Sequence, residues 1–130
     1  MYVLDTNTLI YFFKGQGRVA ERMFLEAPAD IAIPAIVIYE LQTGIAKSAT
    51  PRKRTQQLKS LTEAVKVLSF STAEAKAAAM IRAQLEKKGK PIGPYDVLIA
   101  GTVLAHQGTL VSHNLAEFNR VSGLKTEDWY

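Results

Sequence analysis

Four acids stand at positions that invite a chemical explanation: Asp5, Glu40, Asp96 and Glu117. Asp5 directly follows the short apolar run Tyr2–Leu4 and opens a helical stretch, so it sits at a strand end. On position alone, a plain helix N-cap explains it equally well. Glu40 follows Ile36-Val37-Ile38-Tyr39. On a helix it shares a face with Ile36 and Val37, and a carboxylate on an apolar face is costly unless something positive compensates. The alternative is the surface edge of that helix. Asp96 falls in the first turn of Pro94–His106, where the helix dipole favours an anion. That helix is apolar nearly all round and therefore central, which draws Asp96 inwards. Glu117 follows the last apolar run, with Ser112 and Asn114 close by. Taken singly, it is an ordinary loop residue.

The set says more than its members. Carboxylates brought together raise one another's pKa unless a cation binds between them. Hard divalent cations want oxygen, and Mg2+ takes a few carboxylates plus waters. Such ions activate water and stabilise a leaving oxygen in phosphodiester hydrolysis. Composition narrows the choice in the same direction. There is no cysteine, which excludes disulfides, zinc thiolates, iron–sulfur clusters and cysteine nucleophiles. The only histidines are His106 and His113, which excludes a site built from several histidine ligands. An oxygen-held metal, Mg2+ with Mn2+ as substitute, is what remains. The formal charge is +4, from 16 basic and 12 acidic residues. Were the four acids neutralised by metal, the rest of the chain would be strongly basic, as suits a phosphate backbone. Lys47, Arg52, Lys53, Arg54 and Lys59 fall in an acid-free stretch between Glu40 and Glu63, and Lys87, Lys88 and Lys90 form a second cluster. Each cluster alone reads equally as a solvated helix end or loop.

These residues must be positioned by alternating short strands and helices. Strand signals fall at Tyr2–Leu4, at Ile31–Ile33 ended by Pro34, at Val65–Phe70 and at Thr109–Ser112. Helical stretches cover Thr6–Phe13 (capped by Thr6 or Asn7), Arg18–Glu26, Ala35–Lys47, Arg52–Glu63 and Pro94–His106. A capping box, Ser71-Thr72-Ala73-Glu74, starts an alanine-rich helix that runs to Lys88 and stops at Gly89. The tail from Asn114 reads as mostly irregular with one helical turn. Parallel pairing follows, because parallel connections need long crossovers. The expected fold is a three-layer α/β/α domain over residues 1–130, with a short, mostly parallel sheet. In such sheets the site lies beyond the carboxyl ends of the strands. No apolar stretch is long enough to span a bilayer, and no signal peptide is read, so the expected location is the cytoplasm.

Val3-Leu4-Asp5-Thr6-Asn7, Glu40 late on its helix, Gly93-Pro94-Tyr95-Asp96, and Ser112-His113-Asn114-Leu115-Ala116-Glu117-Phe118 together resemble PIN-domain nucleases. The resemblance is strongest to VapC-type toxins of type II toxin–antitoxin pairs, and Val121–Trp129 shares it. It implies an Mg2+-dependent endoribonuclease acting on structured RNA, with initiator tRNA as one expectation. By position, Asp5 and Asp96 match the principal metal-binding aspartates and Glu40 the acid that completes the pocket. Many PIN domains carry a fourth acid where Asn114 stands; in the VapC branch an acid three residues on, here Glu117, serves instead. Thr6, Ser112 and Asn114 match positions that orient carboxylates or waters by hydrogen bonds. Arg52, Lys53 and Arg54 are candidate RNA contacts. Tyr11, Phe12, Tyr39 and Tyr95 are either stacking surfaces for unpaired bases or core. The resemblance also implies a VapB-type antitoxin covering the acidic pocket, and pairing as a homodimer through apolar helices, for which Leu9–Phe13 is one candidate.

Three other functions stay open on sequence. Asp5-Thr6-Asn7-Thr8 is superficially like the motif of aspartyl-phosphate phosphatases, but Asn7 stands where their second Asp belongs. A PIN-like module that only binds RNA or protein would be expected to lose its acids, which are retained here. A PIN nuclease acting on another RNA or on DNA differs only in substrate.

Overall fold

The computed structural model describes Met1–Tyr130. Five strands alternate with helices: β1 (Tyr2–Leu4), α1 (Thr6–Lys14), α2 (Val19–Phe24), β2 (Ile31–Pro34), α3 (Ala35–Ala46), α4 (Pro51–Ala64), β3 (Lys66–Leu68), α5 (Thr72–Lys87), α6 (Pro94–Ala105), β4 (Thr109–Val111), α7 (Leu115–Phe118) and β5 (Lys125–Glu127). The strands form one sheet in the order β3-β2-β1-β4-β5. All four pairings are parallel, with Tyr2 opposite both Ile31 and Thr109.

The sheet explains the apolar runs. Val3, Leu4, Ile31, Ala32, Ile33, Leu110 and Val111 are all buried. Successive strand residues point to opposite faces, so continuous burial requires helices on both sides. The result is the three-layer α/β/α arrangement expected. Leu9 on α1 joins this core, and Ile10, Tyr11, Phe12 and Phe13 pack against it while partly exposed.

Helix boundaries follow local chemistry. The α5 start carries the expected capping interaction, with the Glu74 carboxylate accepting the Ser71 N–H at 2.8 Å. Past its end, Gly89 takes φ +68°, a left-handed turn that glycine adopts without steric cost. Helices α5 and α6 pack against each other at Gly101, where an added Cβ would lie 2.6 Å from the Ala78 backbone. No helix is long and apolar enough to cross a membrane.

Three expectations need correction. The cap of α1 is Asp5, not Thr6 or Asn7, because the Asp5 side chain reaches the Thr8 N–H. β2 does not stop at Ile33 but includes Pro34, which is paired in register with Leu68, and α3 begins directly after it. The tail is not mostly irregular: β5 extends the sheet beside β4. Its Lys-Thr-Glu sequence carries no apolar strand signal, because at an edge the neighbouring strand supplies the pairing.

Candidate active site

The carboxyl ends of β1 and β4 lie side by side, and both run straight into polar residues. Asp5 follows β1 and Ser112 follows β4. The Asp5 backbone N–H donates to the Val111 carbonyl at 3.2 Å, locking the two strand ends together. Asp5 is 5% exposed, and its carboxylate accepts the Thr8 N–H at 2.9 Å. Thr8 in turn donates its hydroxyl to the Val111 carbonyl at 3.1 Å. Burial raises the Asp5 pKa, and hydrogen bonds from Ser112 and Thr8 partly offset that rise. Asp5 is therefore both the helix cap and a carboxylate of the cluster; the two roles coexist.

Asp96 enters from the first turn of α6 and meets Glu117 from α7. Burial pushes the Asp96 pKa up to about 7, helped by its hydrogen bond and charge contact with Glu117 and by the charges of Asp5 and Glu40. The four acids thus share one field. Glu117 behaves oppositely. Burial pushes it up, but the Gly93 N–H at 2.8 Å, the Asp96 hydrogen bond and the Asn114 side-chain amide outweigh that and hold it below the ordinary carboxyl value. Asp96 therefore keeps the proton that the two carboxyls share. A Cβ at Gly93 would approach Asp96 Oδ2 to 3.1 Å, so a glycine leaves the room that this contact needs.

Glu40 stands on α3 and accepts the Thr6 hydroxyl at 2.7 Å. It also lines a cavity of about 200 Å³ together with Lys14, Arg54, Ile10, Phe13 and Leu41. The supporting residues divide their work: Thr6 holds Glu40, Ser112 holds Asp5, and Asn114 holds Glu117. Asn114 reaches the pocket through Glu117 rather than in its place. The basic trio is split. Arg54 faces the cavity beside Glu40, and Gln57 accepts a hydrogen bond from it at 3.1 Å. Lys53 lines a different groove with Phe12, Phe24 and Val65, so a single Arg52–Lys53–Arg54 patch is not formed.

Sequence reasoning left Asp128 unassigned. Its carboxylate accepts from His113 Nδ1 at 2.9 Å, and its charge acts on Asp5. The signal was unreadable because Asp128 is placed by β5, the strand whose composition hid it.

The donor set fits a hydrated divalent cation. Every candidate ligand is an oxygen, and burial together with the charges of Glu117, Asp5 and Glu40 raises the Asp96 pKa, as crowding of carboxylates does. No three acid or histidine side chains converge tightly enough to enclose an ion alone. Mg2+ commonly keeps several waters and takes one or two carboxylates, so a full protein cage is not required.

Comparison with known proteins points the same way. The PIN domain family matches residues 2–124. The tRNA(fMet)-specific endonuclease VapC of Salmonella typhimurium is 34% identical over 128 residues, covering 98% of this chain and 97% of the relative. Ribonuclease VapC2 of Rickettsia felis is 34% identical over 131 residues, covering 99% and 98%. Among solved structures, VapBC2 from Rickettsia felis bound to a DNA fragment from their promoter superposes with a TM-score of 0.92, at 34% identity and 99% and 98% coverage. DNA-bound VapBC from Salmonella typhimurium gives the same TM-score at 35% identity, with 99% and 98% coverage. With its parallel sheet, its carboxylates gathered beyond β1 and β4, and these full-length matches, the chain belongs to the PIN-domain family, in the VapC ribonuclease branch.

Proposed function

We propose that this protein is the toxin of a VapBC-type pair and cuts structured RNA in an Mg2+-dependent hydrolysis, with initiator tRNA as its substrate. The observation that carries the reading is the gathering of four carboxylates, Asp5, Glu40, Asp96 and Glu117, in one field, where the charges of the other three raise the Asp96 pKa. Crowded carboxylates of this kind suit a cation and, through it, a phosphate. Asp5 and Asp96 would hold the metal, with Glu40 and Glu117 completing the pocket. When bound, Mg2+ supplies Lewis acidity at the scissile phosphate and lowers the pKa of water there.

The chain's own residues do the rest. Asp5 is fixed by Ser112 and Thr8, Glu40 by Thr6, and Glu117 by Gly93 and Asn114, so the carboxylates need no rearrangement as charge develops. A carboxylate of the pocket takes the proton of the attacking water. The water oxygen bonds to phosphorus as the bond from phosphorus to the 3′ oxygen breaks, and the departing 3′ oxygen takes a proton from solvent. Arg54 and Lys14 lie where they can meet the phosphate backbone. The partner is a VapB-type antitoxin, an expectation supported by the VapBC complexes among similar structures.

Partner-free protein incubated with total RNA and purified initiator tRNA tests this, with Mg2+ and EDTA arms and Asp96→Ala as control. Discrete cuts that need Mg2+ and vanish in the control are expected. Equal cutting by Asp96→Ala would overturn the assignment, and intact RNA in every arm would favour a binding module.

A further inference from the structure

The rim of the acidic pocket carries two aromatic side chains that the core does not use. Tyr39 precedes Glu40 on α3, and Tyr95 precedes Asp96 on α6. Tyr39 is 53% and Tyr95 42% exposed, whereas Tyr11 and Phe12 pack partly buried against the core. The two rings lie 5.5 Å apart at 53°, and their hydroxyls are 3.2 Å apart. That bond ties α3 to α6 at the mouth of the pocket. Each tyrosine directly precedes an acid of the cluster on its helix, which sets the pair beside the acids.

Holding two large rings open to water forgoes the gain their burial would bring. One hydroxyl donates to the other, which steadies the pair, and the exposure of both residues leaves ring surface open to solvent. We propose that Tyr39 and Tyr95 form a stacking platform for one unpaired base of the RNA, next to the phosphate that is cut. The proposal rests on the ribonuclease reading and extends it to substrate choice. A base inside a duplex has no free face, whereas a looped or single-stranded base does. Stacking is sequence-tolerant because every base offers a π-face. The platform therefore selects unpaired over paired RNA at the cut and leaves base identity to other contacts. Arg54 and Lys14, in the cavity lined by Glu40, supply charge for the flanking backbone.

The probe is an RNA hairpin carrying 2-aminopurine at successive loop positions, added to full-length Asp96→Asn protein with Mg2+ so that nothing is cut. Quenching at one loop position is expected. Adding Tyr39→Ala or Tyr95→Ala removes it and weakens binding roughly 5- to 150-fold, while Tyr39→Phe and Tyr95→Phe retain it. In the protein with Asp96 intact, the alanine changes raise KM by a similar factor and leave kcat within about threefold. Circular dichroism and scattering mass control for folding and assembly. Alanine variants that quench and bind like the parent overturn the proposal. So does an alanine variant whose mass falls while quenching persists, since the tyrosines then belong to a contact between copies. An unmodified protein that cuts no RNA counts against the ribonuclease reading alone, because the quenching arm still reports on the platform.

Discussion

Replacing Asp96 by Asn should make the metal-free protein more stable and catalytically dead. The Asp96 carboxyl, ordinarily near 3.8, is pushed up to about 7 in the fold. Between those two values the unfolded chain has released the proton and the folded chain still holds it. Stability therefore falls as pH rises through that window, and the full penalty is present above about pH 7. A difference of about three units corresponds to about 4 kcal/mol at face value. The carboxyl is only half-buried, and solvent screening reduces this to roughly 1–3 kcal/mol. Asn cannot ionise, and its amide can donate to Glu117 as the protonated Asp96 does. Urea melts in EDTA should show Asp96→Asn more stable by roughly 1–3 kcal/mol at pH 8, with Tm higher by roughly 3–10 °C. Well below pH 3.8 the two proteins should melt alike, since both the folded and the unfolded parent then carry the proton. Millimolar Mg2+ should raise the parent's stability at pH 8 and close the gap. A variant that is less stable at pH 8, or a gain that does not change with pH, would refute the idea that crowded carboxylates dominate this pocket.

Thr6→Val removes the 2.7 Å hydrogen bond to Glu40, and Mg2+ titrations of RNA cutting should show a roughly 10- to 100-fold loss in activity or metal affinity, with the melting curve little changed. Gly101→Ala should lower stability by about 1–3 kcal/mol despite better helix propensity, because the new Cβ would sit 2.6 Å from the Ala78 backbone; denaturant melts check this. Glu74 is held below its ordinary pKa by the Ser71 N–H first, with His106 3.2 Å away adding to the effect. Its contribution is complete above the ordinary value near 4.5 and is lost as pH falls through the lower folded value. Glu74→Gln should therefore destabilise at pH 7, with the difference from the parent shrinking in strong acid.

The strands buried on both faces were legible, since Val3-Leu4 and Leu110-Val111 are continuous apolar runs that only an interior strand explains. The acids were readable as a candidate set because Asp5, Asp96 and Glu117 each follow a strand or stand in the first turns of a helix, while Glu40 stands on an apolar helix face. Their division of labour was not. That Thr6 serves Glu40, and that Asn114 serves Glu117, depends on the crossing of α1 with α3 and on the short turn into α7, and periodicity does not encode such contacts. Edge strand β5 escaped for a different reason. Lys125-Thr126-Glu127 is polar, and its strand state is imposed by pairing with β4. Asp128, which follows it, was lost with it. The two exposed tyrosines could not be told from core by residue type, because an aromatic next to an apolar run fits either place.

The order of the strands bears on when this protein can act. β1 lies in the middle of the sheet, yet its partners on either side come from distant parts of the chain, one from Ile31 onwards and the other from Thr109 onwards. During synthesis the first strand therefore has only half of its hydrogen-bonding partners for most of the chain's length. Asp5 likewise has no Ser112 beside it, and Asp96 no Glu117, until the last quarter of the sequence has been made. Long-range closure of this kind is slow and comes late. The full set of four carboxylates can therefore come together only when the chain is nearly finished, so the late assembly of the pocket is written into the topology.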